Sequence, residues 1–318
     1  MSSDQMYVTP AGRPLTASAV ALMLVLCLTW GFNQIAIKLV MVDIPPFLQG
    51  TIRSCGALVV ILLVAWLRGV RLFARDGSLR AGLFAGILFG FEFIVIYRGL
   101  QLTSASRGAV FMYTAPFFVA FGSYWLLGER LRAAQWSGLA LSFAGVALAI
   151  GVPQPNVDSH ILLGDLLIVA GAGLWAATTL VAKGTRLRFA APEKALGYQV
   201  ATSIPILGTA AWLFGETITQ TPSPLSLGLM AFQAIWVVGT TFTLWFALVK
   251  AYSASKLSAF TFITPLFGVV GSYFIMHDTL SLTFGAAAIL VIAGLFLVNR
   301  PSSTAAAPRD ALLNVTKT

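Results

Sequence analysis

Ten mostly apolar stretches fill this 318-residue chain almost end to end, most of them close to the ~20 residues that cross a ~30 Å hydrocarbon core as a helix. They lie at about 16–40, 47–67, 81–100, 106–127, 135–152, 164–183, 195–214, 226–249, 256–276 and 282–299. Lipid offers no water to backbone N–H and C=O groups, so each stretch must satisfy its own, and a helix does so. The expected fold is an all-α integral membrane protein with ten transmembrane helices. With 58% of residues hydrophobic and 10% charged, the chain lies far from the soluble norm of about 25% charged.

The net charge of +9 on a soluble chain would suggest nucleic acid, but here it sits in short connections. Sixteen of the twenty basic residues fall on one side of the alternating segments, among them Arg13, Arg68, Arg80, Arg132, Lys194 and Arg300. By the positive-inside rule that side, with both termini, is cytoplasmic, and no nucleic-acid partner is expected. The first stretch is too long for a signal-peptide core and lacks a clear cleavage site, so it is expected to remain as a helix. Residues 1–15 form an N-terminal cytoplasmic tail, and residues 300–318, rich in Ser, Ala and Pro, are expected to be a disordered one. Cys27 and Cys55 lie inside apolar segments and His160 and His277 lie far apart, so no disulfide, metal or cofactor is expected. No phosphate-binding Gly-Lys-Ser/Thr loop is present, and no ATPase subunit is implied.

The chain also repeats itself. Ser104, Ser106, Arg107, Phe111 and Pro116 recur 149 positions later as Ser253, Ser255, Lys256, Phe260 and Pro265. At the same offset Glu129, Gly138 and Gly145 meet Asp278, Ala287 and Gly294, and at an offset of 145 Trp30 and Lys38 meet Trp175 and Lys183. The expected organisation is one five-helix repeat over 16–152 and a second over 164–299. Five is odd, so the second unit enters the membrane from the opposite side, and two inverted repeats are the architecture of alternating-access carriers. Pro116 and Pro265 fall about ten residues into the fourth and ninth segments. Each removes a helical N–H and would free the carbonyl of Met112 or Thr261 at mid-membrane, acting as a hinge or gate, or as an ordinary kink.

Five plus five helices, Trp30-Gly31 followed by Lys38, and Pro116 ahead of the Gly128-Glu129-Arg130-Leu131 loop together resemble the drug/metabolite transporter superfamily and its EamA-type members, over about residues 16–299. Within that group the chain is most similar to bacterial amino-acid exporters of the YddG type. The resemblance implies export of aromatic and other neutral amino acids across a bacterial cytoplasmic (inner) membrane. Asp278 and Ala287 depart from the glutamate and glycine of the first half, in a loop and at a packing position.

Trp30, Asn33 and Gln34 share one broad face of the first helix, and Trp175 and Thr178 hold matching positions on the sixth. Amides and hydroxyls beside indoles suit a small zwitterion with an apolar side chain; polar residues also join membrane helices to one another. Thr241 and Trp245 on the eighth segment, Tyr97 on the third, Phe111 and Tyr113 on the fourth, and Phe260 and Thr264 on the ninth complete the expected lining of a central cavity, where an aromatic substrate would stack. Glu92 is the one carboxylate well inside an apolar segment, at an insertion cost of about 2.5–3.5 kcal/mol. Arg53 reaches a similar depth on the second helix. The two read as a structural ion pair, a proton-coupling site or a receptor for a substrate ammonium.

Gly82, Gly86 and Gly90 form a close-packing stripe on the third helix that Glu92 points away from. Lys38, Lys183, Arg107 and Lys256 close or open helices and are expected to snorkel to headgroups, or to grip an anion in an organic-anion or sugar-phosphate exchanger. Glu129 and Asp278 are expected to sit on the dipoles of the fifth and tenth helices. A membrane-embedded enzyme would need an Asp, His or Ser constellation, and the carboxylates here are scattered. The expected partners are a small-molecule substrate and lipid, with protons as a candidate coupling ion.

Overall fold

A computed structural model describes residues 14–103, 111–150, 158–276 and 282–299. Its helices are α1 (Ala17–Val40), α2 (Pro46–Leu67), α3 (Leu79–Leu102), α4 (Ala115–Leu127), α5 (Ala133–Ile150), α6 (Ser159–Gly184), α7 (Pro192–Leu213), α8 (Pro224–Ala251), α9 in two halves (Ala254–Phe260 and Thr264–Met276) and α10 (Leu282–Asn299). All ten expected segments are helical where described, and no strand occurs among the described residues. Of these, α1, α2, α3, α6 and α8 are long and apolar enough to cross a membrane. Residues 1–13 of the N-terminal tail, the whole C-terminal tail and residues 106–110 of the fourth segment lie outside the described residues.

Local chemistry sets the helix ends. Pro46, Pro192 and Pro224 open α2, α7 and α8, where the missing N–H costs nothing. Thr16, Ser223 and Ser253 accept backbone N–H groups at the starts of α1, α8 and α9. The ends of α2 and α7 reveal a further echo that the sequence reading missed: Ala65-Trp66-Leu67-Arg68-Gly69 against Ala211-Trp212-Leu213-Phe214-Gly215. Gly69 and Gly215 both take left-handed φ, 65° and 66°. This lets the N–H groups of Val70 and Glu216 donate back to Ala65 and Ala211 at 2.8 and 2.9 Å. Trp66 and Trp212 are 76% and 77% exposed, at opposite ends of the bundle, as indoles of an aromatic belt are.

Between lipid-embedded helices there is no hydrophobic drive, so close approach of small residues carries the packing. α5 packs on α10, α2 on α7, α3 on both α6 and α7, α4 on α6 and α1 on α9. In the α5–α10 seam, a Cβ added at Gly138 would lie 2.6 Å from the Gly294 carbonyl oxygen, and one at Gly294 would lie 2.5 Å from that of Gly138. Gly145 likewise faces the Ala287 carbonyl at 2.8 Å, and Gly31 of α1 faces that of Thr264 at 2.8 Å. The glycine stripe of α3 behaves as its spacing predicts, with Gly82, Gly86 and Gly90 seated against Tyr198, Thr202 and Ile206 of α7.

Polar side chains tie the connections at the two ends. Where α1 begins, Arg68 pairs with buried Glu193, and Lys194 donates to Asp76 at 2.8 Å and to the Ala74 carbonyl at 2.7 Å. The hydrogen bond from Lys194 holds the Asp76 carboxyl well below the usual carboxylate range. At the opposite end Asp43 accepts from Ser226 Oγ at 2.6 Å and from Ser223 Oγ and N at 2.7 and 2.9 Å. These bonds, Ser226 first, lower its carboxyl and pin the α1–α2 turn to the start of α8.

Two helices depart from regular geometry. In α8, residues Phe232–Phe242 form a π-helix between two α-helical pieces. Thr240, Thr241 and Thr243 donate their hydroxyls to the carbonyls of Ile235, Val237 and Gly239 at 2.9, 2.5 and 2.8 Å. The apolar pattern does not distinguish this wider coil from an α-helix. In α9 a 3-10 turn, Thr261–Ile263, separates the halves.

Both prolines thus open helices instead of bending them, since Pro116 and Pro265 are the second residues of α4 and of the second half of α9. The expectation of a free Thr261 carbonyl is corrected, because that oxygen accepts from the Thr264 N–H. The breaks remain the places where these elements can change direction. Pro116→Ala and Pro265→Ala are expected to leave the protein folded while slowing flux in liposomes at least several-fold; full activity in both would remove the hinge.

Candidate functional site

Five helices converge on a narrow cleft. α1 contributes Trp30, α3 Phe89, α6 Trp175, Thr178 and Thr179, α7 Gln199, and α8 Phe242, Trp245 and Phe246. The room for water centres is about 20 Å³, enough for about one water, so any larger occupant requires the helices to part. The rings are tightly ordered. Trp245 lies 5.7 Å from Trp30 and 5.4 Å from Trp175, and Phe242 stands edge-on to Trp30 at 5.9 Å. Trp30 Nε1 donates to Thr241 Oγ1 at 2.9 Å, and Thr241 sits on the π-helical stretch, so the irregular coil of α8 orients the indole.

The cleft offers oxygen acceptors on Thr178, Thr179 and Gln199 and the indole N–H donors of Trp175 and Trp245. Thr178 and Thr179 spend their hydroxyl protons on the carbonyls of Leu174 and Trp175 at 2.9 and 3.1 Å, which leaves their oxygens to accept. Gln199 donates to the Ala195 carbonyl at 3.3 Å, and its Oε1 is buried without a partner. No charged side chain lines the cleft. Such a site suits an apolar, planar group with a few uncharged polar atoms.

From the cleft a file of rings runs toward the end where α7 finishes. Phe242 meets Phe89 at 6.2 Å, Phe89 meets Phe93 at 5.0 Å, Phe93 meets Tyr97 at 5.7 Å and Tyr97 meets Phe47 at 6.1 Å. Arg53 and Glu92 flank this file, both buried.

The expected site residues therefore separate. Trp30, Trp175, Thr178 and Trp245 line the cleft, Thr241 stands behind Trp30, and Phe260 packs in the same hydrophobic core. Asn33 is buried one turn from Trp30 with Oδ1 unpartnered. Glu92 and Tyr97 lie farther along α3. No nitrogen–oxygen contact within 4.0 Å joins Glu92 to Arg53, so the structure does not form the expected ion pair; the guanidinium lies over the Phe93 ring, 4.2 Å from its centroid.

Tyr113 packs on Phe262 at 6.4 Å, in a core shared with α5 and α10, and Phe111 offers its carbonyl to Thr114 at 2.6 Å. Thr264 is buried with its carbonyl against Gly31. The side chains of Gln34 and Lys38, with Arg107 and Asp278, lie outside the described residues. Phe89, Gln199 and Phe246 were missed. Gln199 alone carried a signal, as an amide within an apolar segment.

Two further expectations change at the end where α1 begins. Glu129 does not serve the α5 dipole. It accepts from Ser253 Oγ, Ala254 N, Ser255 N and Ser255 Oγ at 2.7, 3.2, 3.4 and 2.9 Å, holding the start of α9. Lys183 does not snorkel; it is buried, 3.4 Å from Glu129, and donates to the Tyr252 carbonyl. The network joins the α4–α5 connection, the end of α6 and the α8–α9 connection.

Comparison with known proteins assigns this architecture. The EamA-like transporter family matches residues 17–151 and, a second time, residues 162–300. Among similar proteins, the transporters YoaV and YvbV of Bacillus subtilis, both named uncharacterized, are 23% and 28% identical, covering 85% and 91% of this chain and 92% and 93% of their own. A protein of Salmonella typhimurium named "Probable amino-acid metabolite efflux pump" is 28% identical, covering 87% of this chain and 93% of its own. One solved crystal structure superposes with a TM-score of 0.76 at 21% identity, over 88% of this chain and 97% of its own, which speaks to the fold. With nearly its whole length matched in two consecutive blocks, the chain belongs to the EamA-like transporter family and is a membrane transporter.

Proposed function

We propose that this transporter exports amino acids, aromatic and neutral ones foremost, by alternating access between two inverted five-helix units. The observation that carries the reading is the cleft itself: three indoles and three phenyl rings with a few uncharged polar groups, and no charged group on its wall. An aromatic or aliphatic side chain matches such a wall. The efflux-pump names of relatives from Salmonella typhimurium and Escherichia coli, at 28% and 24% identity, agree with it.

The duplicated family match, the paired ends of α2 and α7 and the pairing of α1 with α9 and α4 with α6 support two related units. The excess of basic residues favours a cytoplasmic location for the end where α1 begins and for both termini. Since the cleft holds about one water, the cycle must widen it toward each face in turn. The Glu129–Lys183 network would then be made and broken at the cytoplasmic face.

An organic-anion exchanger is the second reading. No charged side chain lines the cleft, Lys183 is engaged by Glu129, and an anion held by Arg53 would leave the buried Glu92 carboxylate without a counter-charge. The test is flux in liposomes containing only this protein, with a panel of amino acids and sugar phosphates, at several imposed pH gradients. Saturable amino-acid flux without ATP is the expected result, and a pH-gradient dependence would identify protons as the coupling ion. Exchange confined to phosphate esters would sink the proposal.

A further inference from the structure

We infer that Arg53 and Glu92 together receive the charged end of the transported amino acid, the guanidinium binding its carboxylate and Glu92 its ammonium. The inference rests on the amino-acid reading above and adds the chemistry that the uncharged cleft lacks. Arg53 on α2 and Glu92 on α3 are 2% and 3% exposed. Buried, membrane-embedded charges are costly unless paired, and a structural pair would relieve the cost by closing on itself. These two do not close, although the guanidinium lies over Phe93, the residue next to Glu92 on α3. Nε and Nη2 of Arg53 and Oε2 of Glu92 are buried with no hydrogen-bond partner.

Arg53 is held by stacking on Phe93, 4.2 Å from the ring centroid, an interaction that fixes the guanidinium plane and leaves its N–H donors unspent. The Tyr97 hydroxyl, also buried and unpartnered, lies one turn along α2 from Arg53, where a Cβ on Gly50 would come within 3.6 Å of it. Donors, a hydroxyl and a carboxylate acceptor are thus gathered between two helices with nothing to bond. A carboxylate accepts from guanidinium and an ammonium donates to carboxylate. An organic anion would leave Glu92 unpaired, and an amine would leave Arg53 so; a zwitterion satisfies both. Phe89, one turn before Glu92, links the pair to the cleft through Phe242 at 6.2 Å. A turn advances about 5.4 Å, comparable with the reach from an amino acid's α-carbon to its ring.

The test uses the purified full chain and the amino acid it carries best, displaced by that amino acid's amide, which lacks the carboxylate, and its N-acetyl derivative, which lacks the ammonium. Wild type is expected to bind each analogue at least about a hundredfold more weakly, because each leaves a buried charge unpaired. Arg53→Gln should weaken the amino acid about as much while leaving the amide unchanged, and Glu92→Gln should do the same relative to the N-acetyl derivative. Equal binding of either analogue by wild type overturns the inference without any variant. A uniform loss for all three ligands in a folded variant also overturns it, since that marks a structural role. A protein that carries no amino acid overturns the preceding reading and this one with it; one that carries amino acids but ignores their charged ends overturns this one alone.

Discussion

Glu129→Ala is expected to lower stability by about 3–5 kcal/mol and to stop transport, because it strands the buried ammonium of Lys183 without a counter-charge. The carboxylate also holds two backbone N–H groups and two hydroxyls at the start of α9. Glu129→Gln should be milder for stability, since the amide oxygen can still accept, yet it leaves the same cation unneutralised. Adding Lys183→Met to Glu129→Ala should recover part of the lost stability, and the double-mutant cycle isolates the pair from the other bonds. Recovery of stability without flux would assign the network to the cycle as well as to the fold. A loss under about 0.5 kcal/mol for Glu129→Ala, with normal flux, would mark the pair as no more than a surface salt bridge. Denaturation of the purified protein and liposome flux measure the two effects separately.

Gly294→Leu is expected to prevent assembly of α5 with α10. Even a Cβ at that position would lie 2.2 Å from Ser142 Oγ, 2.5 Å from the Gly138 carbonyl oxygen and 2.7 Å from the Ser142 N. Ordinary overpacking costs about 1–3 kcal/mol because side chains can yield. Here two of the three obstacles are backbone atoms, so the helices themselves must separate, and the cost should exceed that range. Gly285→Ala on the same helix is the control, since no atom lies within 4 Å of the Cβ it would add, and its yield of folded protein should match wild type. If Gly294→Leu also yields folded, monodisperse protein, the α5–α10 seam is not a close contact in the membrane.

Much of the fold was legible along the chain. Segment length and the scarcity of charge imply helices because lipid leaves backbone groups no other partner, and every described segment is one. The glycine stripe at residues 82, 86 and 90 found its neighbour on α7, because a four-residue spacing keeps small residues on one face regardless of what packs there. The prolines marked the breaks in the fourth and ninth segments, though not their form. A missing N–H requires an interruption, while whether the preceding carbonyl stays free depends on whether the next N–H can reach it, and at Thr261 it does.

The site was legible only in part. Trp30, Trp175 and Thr178 could be proposed from matching positions in the first and sixth helices and Trp245 from the polar and aromatic run of the eighth, and they meet. Phe89, Gln199 and Phe246 could not, since nothing in a run of apolar residues says which one turns toward the axis. Nor does composition give the π-coil of α8, nor the partner of Glu129, which sits more than a hundred residues away on α9. The chain's own solvation in lipid dictates that helices form and roughly where they stop. Which charges pair, which stay unpaired and which rings enclose the cleft depend on how ten helices with small-residue seams settle against one another, a long-range property that no local pattern encodes.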